Sequence, residues 1–251
     1  MRLLAFDTST DTMSVALQSD AGGAAGLLQH TSAGGAQASG SLIPVILDLM
    51  VRAGLTFAQL DAIVFGRGPG AFTGLRTACS VAQGLGFGAQ GRPDRQPVPL
   101  LPVDTLLAVA EEARQRHAPG NAPLRVFAML DARMDQIYAA AYGFDGVGWQ
   151  RQGDVVLDRP ENLSLDATGA PADCVLAGNV FAPYGERLLL GVGLARIEAL
   201  PTAGAMLRLA PALLAAGLAV IPELALPLYI RDKVAQTSSE RAAAKAAVPA
   251  P

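Results

Sequence analysis

The chain has 251 residues, of which 51% are hydrophobic and 16% charged, and its formal net charge at pH 7 is −3. This composition predicts a globular chain near the length at which one core divides into two domains. The negative charge argues against a protein that grips nucleic acid by itself, because phosphate binding needs a basic face. No segment approaches the roughly 20 apolar residues of a membrane span, and the N-terminus lacks a secretory signal pattern, so we expect a cytoplasmic protein with no membrane contact.

The first hundred residues are predicted to form a three-stranded meander followed by alternating helices and strands. The predicted strands lie at 2–6, 14–17, 26–30 and 62–65, with a turn at 21–23 and an edge strand or connection at 97–103. The predicted helices lie at 42–50, stopped by Gly54, and at 73–88. The order is therefore β-β-β-α-β-α-β.

A glycine-rich stretch joins the apolar run 62–65 to the second helix. It reads Gly66-Arg67-Gly68-Pro69-Gly70-Ala71-Phe72-Thr73-Gly74-Leu75-Arg76. Glycine permits positive φ and proline fixes its own φ, so we expect a sharp turn, with Thr73 as the helix N-cap. The spacing of Gly66, Gly68 and Ala71 formally fits a dinucleotide fingerprint, but it follows a fourth strand and no Lys-Ser/Thr pair completes a phosphate loop. We favour a tight strand-to-helix turn over nucleotide chemistry.

The second half repeats the opening pattern. A strand at 126–130 ends at Asp131 and returns at 136–142, just as 2–6 ends at Asp7 and returns at 14–17. This pattern indicates either an internal duplication or two unrelated hairpins, because Asp is common in turns. The remaining predicted elements are a helix at 105–116, a linker at 117–123, strands at 149–156 and 174–177, a helix at 202–216, an extended return at 222–231 and a disordered tail at 236–251.

Two carboxylates at strand ends are candidates for a site. Asp7 could hold a metal-bound phosphate or cap its own turn. Asp131, Arg133 and Asp135 could likewise form a charged site or a solvated turn. A metal site is not expected, because His30 and His117 have no partners at ligand spacing. We expect no catalytic residue and no cofactor. The weak candidates for nucleotide contact are Asp7, Gly68, Gly70 and Thr73.

The first two helices are predicted to form a protein interface. The apolar arc of the helix at 42–50 is broad for a helix that covers one sheet face, and one face of the next helix carries only small residues. The breadth indicates either deep burial within the domain or one stripe inward and one stripe in a partner interface, and we favour the interface. Glycine inside a helix costs about 1 kcal/mol relative to alanine, so close approach by another element is the expected benefit. The predicted interface residues are Leu42, Val45, Ile46, Leu49, Met50, Thr73, Thr77, Ser80, Val81, Gly84, Leu85 and Gly88.

Four segments resemble the TsaB (YeaZ) family, once described as glycoprotease-like. They are the glycine-rich stretch, 4–9 with 14–17, Leu130-Asp131-Ala132-Arg133-Met134 with Tyr138, and Pro227-Leu228-Tyr229-Ile230-Arg231 with Val234-Ala235. The positions that carry the family pattern are Gly66, Arg67, Gly68, Pro69, Gly70, Phe72, Thr73, Gly74, Arg76, Asp131, Arg133 and Tyr138.

The resemblance implies an α/β fold of the ASKHA class, with two duplicated βββαβα-type, actin-like halves. It also implies a non-catalytic subunit that pairs with a TsaD-like catalytic paralogue, is joined by a TsaE-like ATPase, and forms a homodimer when alone. That complex transfers a threonylcarbamoyl group to the tRNA adenosine 3′ of the anticodon, and this subunit contacts tRNA only indirectly or weakly. The paralogue carries its metal in a His-x-x-x-His helix, whereas the matching segment here, Gln37 to Pro44, has no histidine.

The sequence leaves two functions open. One is a scaffold that binds its paralogue through the two helices; the other is a small ASKHA kinase or ATPase that uses Asp7 and the loop from Gly66 to Gly74. ATP binding by the isolated protein distinguishes them. We predict a first domain over 1–104, completed by elements around 202–235, and a smaller second domain over 105–201. Arg67 and Arg76 could position tRNA or the partner, or be ordinary surface arginines.

Overall fold

The computed structural model describes residues 1–20, 26–89, 96–165, 174–191 and 193–231. The predicted turn at 21–23, the pair 234–235 and the predicted tail at 236–251 lie outside the described residues. The described residues form two five-stranded sheets with helices packed against them.

The first sheet has the spatial order β3-β2-β1-β4-β5. Its strands are β1 (Leu3–Asp7), β2 (Thr12–Gln18), β3 (Leu27–Ala33), β4 (Ala62–Gly68) and β5 (Leu100–Asp104). The first three strands are antiparallel, and β4 and β5 continue the sheet in parallel from β1. The predicted meander is confirmed, and the segment predicted as an edge strand or a connection overlaps β5, the edge strand of this sheet.

Helices cover both faces of this sheet. They are α1 (Ala38–Ala53) and α2 (Phe72–Gly88) on one face and α5 (Ala203–Ala215) on the other. The other two helices are α3 (Thr105–His117) and α4 (Phe181–Tyr184), which pack on the second sheet. Because successive side chains of a strand point to opposite faces, Leu4 and Phe6 pack with α1 and α2, whereas Leu3 and Ala5 pack with α5. Within the described residues, no helix is long and apolar enough to cross a bilayer.

The second sheet repeats the topology of the first. Its strands are β6 (Leu124–Arg133), β7 (Gln136–Phe144), β8 (Trp149–Asp158), β9 (Val175–Gly178) and β10 (Arg196–Glu198). Their order is β8-β7-β6-β9-β10, with β6 to β8 antiparallel and β9 and β10 parallel to β6. The internal duplication is therefore confirmed, and two unrelated hairpins are excluded.

The second half is an abbreviated copy. Among the described residues between β8 and β9, the only helix is a single 3-10 turn over Pro160–Asn162, where the first half has α1. The four-residue α4 stands where the first half has α2. Neither α4 nor the three-residue β10 was predicted, because segments this short show no periodicity.

The two halves meet where α3 and α5 pack together. Glu111 is almost fully buried there, and its carboxylate accepts hydrogen bonds from Arg114, Arg208 and the Trp149 indole. Burial alone would raise the pKa of Glu111, but these hydrogen bonds outweigh it and hold the pKa below the ordinary value. A buried carboxylate satisfied from several elements makes this junction specific in geometry.

Candidate functional site

The glycine-rich stretch folds into close contact with the turn that follows β1. A Cβ atom on Gly66 would lie 1.9 Å from Asp7 Oδ2, and one on Gly74 would lie 1.8 Å from the Thr8 carbonyl oxygen. A Cβ atom on Gly70 would lie 2.6 Å from the Cβ atom of Ser9, in the same turn. These glycines are required because any side chain would collide with the hairpin turn, which agrees with the interpretation as a packing turn.

Gly68 contacts residues 227–231, which we call the C-terminal segment. It has a φ of +121°, and a Cβ atom there would lie 2.6 Å from the Leu228 carbonyl oxygen. The Leu228 N–H donates to the Arg67 carbonyl at 2.7 Å. The Arg67 guanidinium forms an ion pair with Asp104 at 2.6 Å. This part of the stretch binds other parts of the same chain.

Asp7 lies in the interior with no exposed surface. Its Oδ1 accepts hydrogen bonds from the Ser9 N–H at 2.9 Å and the Ser9 hydroxyl at 2.7 Å, and its Oδ2 has no hydrogen-bond partner. Burial raises the pKa of Asp7 to about 7, against the opposing effect of the two Ser9 hydrogen bonds. Asp7 therefore caps its own turn, and its exclusion from solvent argues against contact with a phosphate or metal.

The corresponding turn of the second half lies opposite, between β6 and β7. Arg133, Met134 and Asp135 have φ values of 61°, 54° and 63°, a left-handed run that is rare for residues other than glycine. Asp131 Oδ1 accepts from the Arg133 N–H at 2.8 Å and from the Tyr184 hydroxyl at 2.9 Å. Burial is the largest cause that raises the pKa of Tyr184 to about 12, and the hydrogen bond to the Asp131 carboxylate is the next.

The cleft between the two turns is nearly closed. An ion pair between Arg133 and Asp11 bridges the two halves directly. The remaining cavity has a volume of about 40 Å³ and is lined by residues of both turns, including Thr10, and by Asn179, which follows β9. A single water takes about 30 Å³, and small-molecule sites occupy about 300–1,000 Å³. This cavity has no room for a nucleotide.

Arg76 lies beside the glycine stretch and stacks on an aromatic side chain. Its guanidinium carbon is 3.8 Å from the centre of the Phe72 ring, and its Nε donates to the Tyr229 hydroxyl at 3.0 Å. Phe72 and Tyr229 also contact each other, with ring centres 5.1 Å apart. Arg76 therefore fixes the C-terminal segment against the start of α2.

The outward side of α1 carries a different apolar stripe from the one predicted. Ile43, Leu47 and Val51 are 44%, 46% and 79% exposed, at four-residue spacing. The predicted interface residues Leu42, Ile46, Leu49 and Met50 belong to the core of the first half and Val45 is half-buried, so the prediction that the four core residues would face a partner is wrong. The breadth of the arc arises because α1 has an inner stripe and an outer stripe.

The small-residue face of α2 points outward. Thr73, Ser80, Gly84 and Gly88 are exposed and Thr77 is half-buried. A Cβ atom on Gly84 or Gly88 would meet no described residue within 4 Å. The predicted interface residues Val81 and Leu85 are half-buried against the core. Thr73 is not the N-cap: that position is Ala71, and α2 begins at Phe72.

We call the exposed side of the two helices the outer face; it consists of Ile43, Leu47, Val51, Thr73, Ser80, Gly84 and Gly88. Its helices lie side by side on one sheet face. In the part of the chain that the structure describes, no group of three His, Cys, Asp or Glu side chains is arranged to hold a metal ion.

Comparison with known proteins gives the family. Over 239 residues the chain is 32% identical to the "tRNA threonylcarbamoyladenosine biosynthesis protein TsaB" of Escherichia coli K12, with 94% of this chain and 96% of that protein covered. It is 38% identical to the Haemophilus influenzae protein of the same description over 140 residues, which cover 55% of this chain and 52% of that protein. The chain belongs to the TsaB family.

Solved structures and a family model agree with the TsaB assignment. YeaZ from Pseudomonas aeruginosa superposes with a TM-score of 0.75 at 35% identity and covers 91% of this chain and 99% of its own. A second structure from that organism, titled as similar to peptidase YEAZ, superposes with a TM-score of 0.76 at 36% identity. It covers 92% of this chain and 99% of its own. The model of the family described as "TsaD: tRNA N6-adenosine threonylcarbamoyltransferase" matches residues 30–195. The α/β fold is of the ASKHA class.

Two features of this TsaB-family chain were missed by sequence reasoning. Leu47 and Val51 complete the outer stripe of α1, and their spacing from Ile43 was the available signal. Arg231 was identified only within a family segment; its contacts with the turn of the second half depend on tertiary structure. No local sequence pattern could have revealed these Arg231 contacts.

Proposed function

We propose that this chain is a non-catalytic subunit in tRNA threonylcarbamoyladenosine biosynthesis that binds a TsaD-like catalytic paralogue through the outer face. The observation that carries the proposal is the exposed stripe of Ile43, Leu47 and Val51 beside the open glycines of α2. The names of the relatives supply the pathway.

The physical case for the outer face combines apolar surface and close approach. Burial of exposed Leu and Val side chains stabilises association by about 25 cal/mol per Å² of apolar surface. Gly84 and Gly88 leave room for the backbone of another helix to lie close to α2, with many van der Waals contacts. Both glycines would otherwise only weaken α2. A helical partner therefore fits the outer face better than a flat or loop-rich one.

The closed cleft supports the non-catalytic part of the proposal. The alternative, an ASKHA kinase or ATPase, needs a nucleotide between the two turns, where the cavity is about 40 Å³. It also needs an accessible carboxylate, whereas Asp7 is fully buried. The arrangement favours a subunit that has the fold of a nucleotide-binding protein and binds a partner through the outer face.

Further partners follow from the same proposal. A TsaE-like ATPase joins the complex in the cytoplasm, and the chain contacts tRNA only indirectly or weakly, in keeping with its net charge of −3. Alone, the chain forms a homodimer through the same outer face, because a self-complementary face suits a two-fold interface. We also propose 1–104 with 202–235 as the first domain and 105–201 as the second, since α5 packs on the first sheet.

The test is a reconstituted tRNA modification reaction. Purified paralogue, ATPase, threonylcarbamoyl-adenylate and tRNA are assayed with and without this chain, and ATP binding and ATP turnover by the chain alone are measured. We expect modification to depend on the chain and the chain alone to show no magnesium-dependent ATP turnover. Modification at full rate without the chain, or ATP turnover by the chain, would contradict the proposal.

A further inference from the structure

A second cavity lies next to the closed cleft and has a different character. Its volume is about 240 Å³, and it shares Gly70, Ala71, Ala132 and Arg133 with the cleft. Three of the segments singled out in the sequence meet around it: the glycine-rich stretch, the turn of the second half and the C-terminal segment. The side chains that define it are Phe72, Leu75, Met134, Tyr138, Tyr229 and Arg231.

Arg231 brings a positive charge to this cavity. Its hydrogen bonds within the described residues go to neutral acceptors: Gln136 Oε1 at 2.7 Å, Met134 Sδ at 2.9 Å, the Ala132 carbonyl at 3.2 Å and the Arg133 carbonyl at 3.4 Å. Its Nε is buried and has no hydrogen-bond partner. A buried donor on a cation costs free energy until an acceptor pairs with it, and the strongest acceptor for a guanidinium is a carboxylate.

Tyr138 offers a second donor. Its side chain is only 6% exposed and lines the cavity. Burial raises the pKa of Tyr138, against a weaker opposing effect of Arg231, so the hydroxyl keeps its proton at neutral pH. A tyrosine hydroxyl that keeps its proton can donate a hydrogen bond to a carboxylate oxygen.

The rest of the cavity is apolar. Leu75 is 1% exposed, and the stacked rings of Phe72 and Tyr229 form one wall. An apolar cavity of about 150 Å³ admits benzene, so this volume admits about ten non-hydrogen atoms. A nucleotide is larger than that.

We propose that this cavity binds a small carboxylate with an apolar body, its carboxylate on the Arg231 guanidinium and the Tyr138 hydroxyl and its body against Leu75, Phe72 and Tyr229. The Arg231 guanidinium supplies a charge-assisted hydrogen bond, and the tyrosine fixes the second oxygen. This site is separate from the outer face and does not depend on association with a paralogue.

The experiment titrates the full chain with hydrocinnamate, which has a carboxylate and a phenyl body, and with its neutral amide. Calorimetry gives the two dissociation constants, and the methyl resonance of Met134 reports where the ligand binds, with Met1 as an internal reference. We expect hydrocinnamate to bind at least about tenfold more tightly than the amide and to shift the Met134 signal. Equal affinities, or no saturation below about 10 mM, would overturn the proposal.

Two substitutions test the assigned donors. Arg231→Met, which keeps an apolar stem, is expected to weaken hydrocinnamate binding at least about tenfold, and Tyr138→Phe, which removes only the hydroxyl, about threefold to tenfold. Arg196→Gln, on β10, is the matched control and should leave affinity unchanged. If both cavity variants fold, as judged by circular dichroism, and bind like the parent chain, the site is wrongly assigned. The comparison of acid and amide on the parent chain decides the question if a variant does not fold.

Discussion

The glycines of the glycine-rich stretch, residues 66–76, and the later glycines of α2 occupy opposite environments. In the stretch, a Cβ atom on Gly66 or Gly74 would come within 2 Å of an oxygen atom of the same chain. On α2, a Cβ atom on Gly84 or Gly88 would meet no described residue within 4 Å. The sequence shows both groups as glycines at regular spacing, but the first serves internal packing and the second leaves a surface open.

This contrast separates the glycine-rich stretch, which packs inside the molecule, from the outer face, which we propose to bind a partner. The loop and the buried Asp7 close the position where a nucleotide-binding fold would hold phosphate. The outer face is exposed and apolar, and it costs α2 stability through Gly84. Substitutions in the glycine-rich stretch should therefore change the free energy of unfolding, and substitutions on the outer face should change association with the partner.

The largest effect is expected from a charge on the inner stripe of α1. Ile46→Glu places a carboxylate in the core without a partner and should reduce the free energy of unfolding by about 3–5 kcal/mol. Leu47→Glu, one residue further, should change it by less than about 0.5 kcal/mol. Urea unfolding measures both. Similar losses for the two variants would contradict the division of α1 into an inner and an outer stripe.

The same substitution at two glycines of α2 should have opposite signs. Gly74→Ala forces a methyl group onto the Thr8 carbonyl and should destabilise the chain by about 3 kcal/mol. Gly84→Ala adds a methyl group in open space and should stabilise it by about 1 kcal/mol, since alanine is the better helix former. Thermal unfolding of the two variants gives the comparison. A destabilised Gly84→Ala would show that this glycine serves the fold.

Titration of Asp7 tests whether the loop is closed to solvent. The unfolded carboxyl ionises near a pKa of about 3.9, whereas in the folded chain the pKa is raised to about 7. Between these values the folded state binds more protons than the unfolded state, so the free energy of unfolding falls as pH rises. The loss should be about 2 kcal/mol from about pH 5 to about pH 6.5.

The matched variant is Asp7→Asn, which cannot ionise. Its free energy of unfolding should lack this component, so the difference between parent and variant across the same pH range isolates Asp7. The carboxylates with lowered pKa values, such as Glu111 and Glu112, titrate below this range. Parallel pH profiles for parent and variant would show that Asp7 is accessible and ionised.

The smallest effect is expected at the ion pair that bridges the cleft. Arg133 and Asp11 are both more than half exposed, so Arg133→Gln should reduce the free energy of unfolding by less than about 1 kcal/mol, as should Asp11→Asn. The double variant should cost less than the sum of the two single variants. A strictly additive double-mutant cycle would mean that the pair does not hold the halves together.

Much of the fold could be predicted because its elements are long and periodic. The strands of the first half, α1 with its stop at Gly54, and the repeat of a strand that ends at Asp7 and at Asp131 were all visible in the sequence. The repeat left two interpretations, and only the strand order of the second sheet decided between them. The four-residue α4 and three-residue β10 carry no periodic signal.

The site was predicted only in outline. Periodicity showed that α1 is apolar on more than one side, but not which side meets the sheet, so core residues such as Ile46 were assigned to the interface. Which side faces outward depends on how α1 packs on the sheet. The cavity at Arg231 was not predictable, because residues about 95 positions apart, Gln136 and Arg231, meet only in the folded chain.

The most direct test of the account is the dissociation constant for a TsaD-like paralogue, measured by calorimetry for two variants. Leu47→Glu puts a charge on the outer face, and Val147→Glu puts the same charge on a side chain that is 89% exposed in the β7–β8 turn. We predict that Leu47→Glu weakens association at least about tenfold and that Val147→Glu leaves it unchanged, because only the first charge is desolvated on binding. Association of Leu47→Glu at the parent's affinity would contradict the outer face as the binding surface.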